Sequence, residues 1–335
     1  MDIEKIAACV LLSGVVAYAV FGGADFGSGI WSGLAAGPRA EQQRSALQKA
    51  LGAVWEANNV WLIFILVVLM AMFPLAFGDL FTALLVPITI GLIGIVFRGA
   101  SYAFRTFTRE TGQPLVSAHG LLFFVASVIT PFFFGVALGA AGGGRIKLDE
   151  GLVTSSLYSP WLHPFPILFG LTAVAVCAFL TMNFMMTRSD GELREDFRRR
   201  GLLSGVVGGV LAVVTLASAR WDAPEFWDLW QRSGPEAMSA VALLAGLAAL
   251  FVLWRRWYPL APLIGGGAMI LLVVTWGVIQ YPYLIVPSER IFDAAADHAM
   301  IKASLIGLLA GAVILVPSLL LLYLNFVGEN AEESY

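Results

Sequence analysis

The chain has 335 residues, 59% hydrophobic and 13% charged, with a formal net charge of −3 and a mean hydropathy of +0.83. A soluble domain carries roughly 25% charged residues, so this composition excludes an ordinary soluble globule, and the acidic balance leaves no case for nucleic acid. Apolar runs long enough to cross a hydrocarbon core of about 30 Å recur from end to end, continuous rather than alternating, which selects helices over a β-barrel.

Taken in order, the runs predict nine transmembrane helices, at about 6–33, 50–74, 77–105, 115–141, 161–187, 201–220, 236–254, 258–283 and 300–327. The fold class is an all-α polytopic membrane protein, a single transmembrane domain over 1–335. Short connections suit two four-helix bundles plus a peripheral helix. The first run follows Met1-Asp2-Ile3-Glu4-Lys5, without a basic n-region or a cleavage motif, and reads as a retained helix. Cys9 and Cys177 lie inside apolar runs and read as buried small residues. Only Arg255-Arg256-Trp257 separates the seventh and eighth spans.

Basic residues set the orientation. The connections after spans one, three, five and seven hold Arg39, Arg44, Lys49, Arg105, Arg109, Arg188, Arg194, Arg198, Arg199, Arg200, Arg255 and Arg256. The opposite set holds fewer: Lys5, Arg145, Lys147, Arg220, Arg232, Arg290 and Lys302. The positive-inside rule makes the first set cytoplasmic, the N-terminus outside and the acidic tail (Glu329, Glu332, Glu333) inside. The outer connections carry aromatics among mixed charges, as befits a membrane–water interface. His163 and His298 fall at the outer surface and His119 near the inner one, a placement that suits no pair of haem ligands.

Ionisable groups inside spans are expensive and mark functional candidates. Asp25 stands in Gly22-Gly23-Ala24-Asp25-Phe26-Gly27-Ser28-Gly29, late in span one. Glu56 stands in Trp55-Glu56-Ala57-Asn58-Asn59-Val60-Trp61-Leu62, early in span two. Arg98 lies in the inner half of span three. At about 1.5 Å rise per residue, the three share one inner layer. Asn59 is three residues from Glu56 and shares its helix face, and Asn58 and Asn59 suit a water chain beside it. Trp55, Asn58, Trp61 and Arg98 complete a polar layer. One reading is an ion pair of Arg98 with one carboxylate that locks three helices. The other is a proton-conducting site fed from the cytoplasm, since a half-buried carboxyl exchanges protons more readily near neutral pH.

At these residues the sequence resembles subunit II of cytochrome bd-type quinol oxidases, cyanide-insensitive variants included. The helix-one glycine–acid element, Trp55 to Leu62, Arg98-Gly99-Ala100-Ser101-Tyr102-Ala103-Phe104-Arg105 and Pro282-Tyr283-Leu284-Ile285-Val286-Pro287-Ser288 carry the resemblance, which runs the full chain. It implies a haem-free subunit of a bacterial inner-membrane heterodimer. The partner, subunit I, would hold haem b and haem d, oxidise quinol and reduce oxygen to water. Subunit II would stabilise the assembly and contribute, through Glu56 with Asp25 and Asn59, to proton uptake. The resemblance also admits a structural quinone, a small single-helix accessory subunit and bound lipids. Gly22, Ala24 and Ala103 replace family residues, two of them acids, which leaves Asp25 and Glu56 as partners for Arg98. The alternative class is an ion-coupled secondary transporter using Asp25 and Glu56, with the glycine-rich part of span one as a broken helix.

Overall fold

A computed structural model of the chain describes residues 2–51, 55–111 and 116–332; the side chains of 51, 55–57, 103–111, 116–118 and most residues beyond 314 lie outside that description. The first helix, α1 (Ile3–Gly33), is continuous, with one π turn at Tyr18–Gly22. Its second half is buried from Gly23 to Trp31, while its first half is mostly part-exposed. Cys177 is buried as expected, but Cys9 is exposed, because this half of α1 turns one face outward.

The connection after α1 contains a helix that hydropathy does not reveal, α2 (Ala40–Leu51). Next come α3 (Trp55–Met72) and α4 (Pro74–Ala83), which meet at Phe73 with a bend of 119°. Pro74 has no amide hydrogen and disfavours the helical conformation at Phe73, so the chain restarts there with proline in a first turn. The third span, expected from residue 77, therefore begins later, as α5 (Leu85–Thr111), with Pro87 in its first turn. The segment between is a helix of its own.

The remaining elements follow the apolar runs: α6 (Val116–Gly142), α7 (Pro164–Met185), α8 (Gly191–Asp222), a short α9 (Pro224–Trp230), α10 (Ser233–Trp254) and α11 (Ala261–Gln280). A two-stranded turn, β1 (Leu148–Asp149) with β2 (Leu152–Val153), follows α6. After α11 the chain makes a hairpin, β3 (Tyr283–Ile285) with β4 (Glu289–Arg290), whose register pairs Tyr283 with Arg290 and Ile285 with Glu289. A turn of helix, α12 (Ile291–Ala294), leads to α13 (His298–Glu332). Among the described residues seven helices are long and apolar enough to cross a membrane, eight if α3 and α4 count as one broken span; the described apolar part of α13 is His298–Ile314. This is an all-helical, multi-pass membrane protein.

Helix α7 sits in the middle, with 61% of its apolar window buried. It packs against α6, α8, α11 and the second half of α1, and α3 and α13 lie against the first half of α1. Polar contacts sort the connections into two ends. At one end Arg39 pairs with Asp196 and Glu192, Arg256 with Glu195, and Arg188 reaches the Ala50 carbonyl. At the other, Arg145 pairs with Asp222, His298 with Glu4, and Ser288 bonds to the Ile146 carbonyl. Arg39, Arg188 and Arg256 of the more basic set thus share one end, and Arg145 of the other set lies at the opposite end.

Candidate functional site

The site forms where the second half of α1 meets α5, α6 and α7. Arg98 on α5 donates from Nη2 to Oδ1 of Asp25 and to its backbone oxygen, both at 2.8 Å, and from Nη1 to Oδ2. Its Nε donates to Ser127 Oγ on α6 at 3.0 Å. The guanidinium lies over the rings of Phe26 and Phe123, 5.0 and 4.9 Å from their centroids. Asp25 and Arg98 are only 4% and 5% exposed, so this is a buried ion pair with aromatic faces on the cation.

Close helix approach makes the pair possible. A Cβ at Gly27 would sit 2.0 Å from Thr181 Oγ1 and 2.2 Å from the Cys177 carbonyl, and one at Gly29 would sit 2.0 Å from Ser127 Oγ. The glycines therefore serve spacing, bringing α1 against α6 and α7 as small residues do in lipid. A hydroxyl then ties two helices, Thr181 Oγ1 on α7 donating to the Ala24 carbonyl of α1 at 2.7 Å, while Ser28 Oγ donates to the Asp25 carbonyl within α1 at 2.7 Å. Trp31 Nε1 reaches the Ala178 carbonyl at 2.8 Å. The Tyr18 hydroxyl, in the π turn, is buried without a hydrogen-bond partner among the described residues.

The second predicted element lies beside this knot. Asn58 is buried and Asn59 half-buried, while the side chains of Trp55 and Glu56 lie outside the described residues. Trp61 stacks on Phe21, with ring centroids 6.3 Å apart, and meets Phe64 edge-on at 6.0 Å. That stack fixes the relative level of the antiparallel α1 and α3. Asp25 is four residues beyond Phe21 and Glu56 five residues before Trp61, about 6 and 7.5 Å along the same direction. The backbone positions of the two acids are thus nearly level.

Sequence reasoning identified Asp25 and Arg98 because charges in apolar runs are conspicuous. It missed Ser127, Thr181, Phe26 and Phe123. It also missed a second buried acid, Asp222 at the end of α8. Asp222 accepts from Arg145 at 2.8 Å and from the Phe165 amide at 2.7 Å, capping the start of α7, with His163 at 3.4 Å. His163 and His298 each face a carboxylate. Among the described residues no group of three His, Cys, Asp or Glu is placed to hold a metal ion.

The family model for cytochrome bd terminal oxidase subunit II matches residues 3–326. The chain belongs to that family. Cytochrome bd ubiquinol oxidase subunit 2 of Bacillus subtilis is 26% identical over 215 residues, 63% of this chain and 62% of the relative. The match thus spans less than two thirds of that relative's length. A second Bacillus subtilis protein, provisionally named a cytochrome bd menaquinol oxidase subunit II, is 23% identical over 342 residues, 97% of this chain and 96% of the relative. The solved structure of bd oxidase from Geobacillus thermodenitrificans includes a chain that superposes with a TM-score of 0.80, at 23% identity, over 96% of this chain and 98% of that one. That likeness concerns the fold. As a bd oxidase subunit II, the chain carries the glycine-spaced Asp25–Arg98 knot close to the backbone level of residue 56 on α3.

Proposed function

We propose that this subunit II is the haem-free half of a terminal oxidase in the bacterial cytoplasmic membrane, with its N-terminus outside and its C-terminus inside. The haem-bearing subunit I, with haem b and haem d, oxidises quinol and reduces oxygen to water, and a small single-helix subunit and lipids complete the complex. This chain stabilises subunit I and delivers protons from the cytoplasm through Glu56, with Asn59 one helical turn away.

The observation that carries the division of roles is the engagement of Asp25. Both its carboxylate oxygens and its carbonyl are occupied by Arg98. A carboxylate gripped by one guanidinium at both oxygens is a fixed structural partner of that cation. Asp25 with Arg98 therefore locks α1, α5 and α6, with Ser127 as the α6 anchor, and the proton role falls in this reading to Glu56. Asn58 and Trp61 hold α3 in register, and Trp55 belongs to the same polar layer. A structural quinone finds a surface for its tail in the exposed apolar row Val60, Ile63 and Val67 of α3, beside Phe21. The transporter alternative is not favoured: α1 runs helically through Gly22–Gly29, and Asp25, one of the two acids it would use, is bound to arginine.

The test is co-purification. Tagged on this chain, the complex is expected to carry a haem-bearing partner whose reduced-minus-oxidised spectrum shows b- and d-type bands. Isolation of the chain with no haem protein would overturn the oxidase reading.

A further inference from the structure

At the Lys/Arg-rich end of the bundle, a groove is lined by Gln42, Ser45, Ala46, Lys49, Ala50 and Arg188. Residues 42, 45, 46 and 49 follow a spacing of three, four and seven, so α2 presents them as one stripe. Arg188 closes the groove from the end of α7, its Nη1 donating to the Ala50 carbonyl at 3.3 Å. That bond fixes the guanidinium and leaves its other N–H groups for a ligand. The acids nearest in sequence are committed elsewhere, Glu41 to Arg44 and Asp190 to Arg194. Two cations, an amide and a hydroxyl thus converge over two alanines, with no carboxylate in the lining among the described residues.

The height of the groove says what fits it. Arg188 is three residues past the end of α7, and Lys49 six residues before the start of α3. Both cations stand where membrane helices leave the hydrocarbon, at the level of phospholipid headgroups. We propose that this groove binds the phosphate of an anionic phospholipid in the leaflet at the basic end. Lys49 and Arg188 take the phosphate oxygens, Gln42 and Ser45 take the remaining headgroup oxygens, and Ala46 and Ala50 let the glycerol region lie against the helix. The proposal stands apart from the proton role of Glu56.

Native mass spectrometry of the complex, equilibrated with phosphatidylcholine vesicles containing phosphatidylglycerol, tests it. The wild-type complex should retain one phosphatidylglycerol more than K49Q/R188Q, whose affinity should fall about thirtyfold, about fivefold for each charge removed. K49R/R188K should keep the lipid, and rising salt should weaken its retention in the wild type. Inorganic phosphate should not displace it. Equal retention by wild type and K49Q/R188Q would overturn the proposal. So would displacement by inorganic phosphate, which assigns the groove to a free anion, or loss of a protein subunit instead of lipid in K49Q/R188Q, which assigns it to a partner chain.

Discussion

Arg98 grips Asp25 through both carboxylate oxygens and its backbone carbonyl, across 73 residues of sequence and inside the membrane layer. Two buried charges in a low-dielectric setting are tolerable only with their partners. The pair thus fixes which helices touch: α1 through Asp25, α5 through Arg98 and α6 through Ser127.

Removing one partner leaves the other charge stranded. Arg98→Met or Asp25→Leu should each destabilise the chain by about 3–5 kcal/mol, whereas the double substitution should recover much of that loss. Thermal unfolding of the detergent-solubilised complex, followed by light scattering, measures this. Equal damage from the single and double substitutions would show that the pair is not the source of the loss.

Spacing at Gly27 is a second constraint. Its Cβ position is filled by Thr181 Oγ1 and the Cys177 carbonyl, while nothing lies within 4 Å of a Cβ at Gly209. Gly27→Ala should cost about 1–3 kcal/mol by forcing α1 from α7. Gly209→Ala should be neutral or stabilising by up to about 1 kcal/mol. The same unfolding measurement compares the two.

The β3–β4 hairpin makes the stability depend on pH. Glu289 is 6% exposed, and its Oε2 has no hydrogen-bond partner among the described residues. Burial, with the charges of Asp79 on α4 and Asp293 on α12, pushes its carboxyl up from 4.5 to about 7. The folded state then binds more protons than the unfolded state across that window. The contribution is complete below 4.5 and is lost as pH rises through about 7. The complex should lose thermal stability as pH rises through this window, and Glu289→Gln should flatten the loss. A profile identical in wild type and variant would show that Glu289 does not titrate there.

Run length made the membrane helices legible, because hydropathy reports burial in lipid whatever the neighbours. Span two was read to 74 and span three from 77, but the 119° bend and the separate helix Pro74–Ala83 were not legible, since that segment is as apolar as the spans on either side. Helix α2 escaped because its mixed composition matches a polar connection. Span six was read only to 220, since Arg220 and Asp222 lower the hydropathy there. The helix continues because Asp222 finds Arg145 and the Phe165 amide.

At the site, the charges were visible and their neighbours were not. Arg98 had two acids in reach by spacing, and the bonds to Asp25 emerge only from side-chain geometry. Ser127 and Thr181 each also bond a carbonyl four residues back in their own helix, the ordinary behaviour of hydroxyls in apolar helices. Nothing in the sequence marks them as anchors to α5 and α1.

The central claim, that Glu56 carries protons while Asp25 does not, is tested most directly by proton uptake in Glu56→Gln. In the reconstituted complex, time-resolved uptake from the inner side during single-turnover oxidation by oxygen should slow at least about tenfold, with haem content and assembly unchanged. Uptake and oxygen consumption at wild-type rates in a fully assembled Glu56→Gln complex would contradict the account.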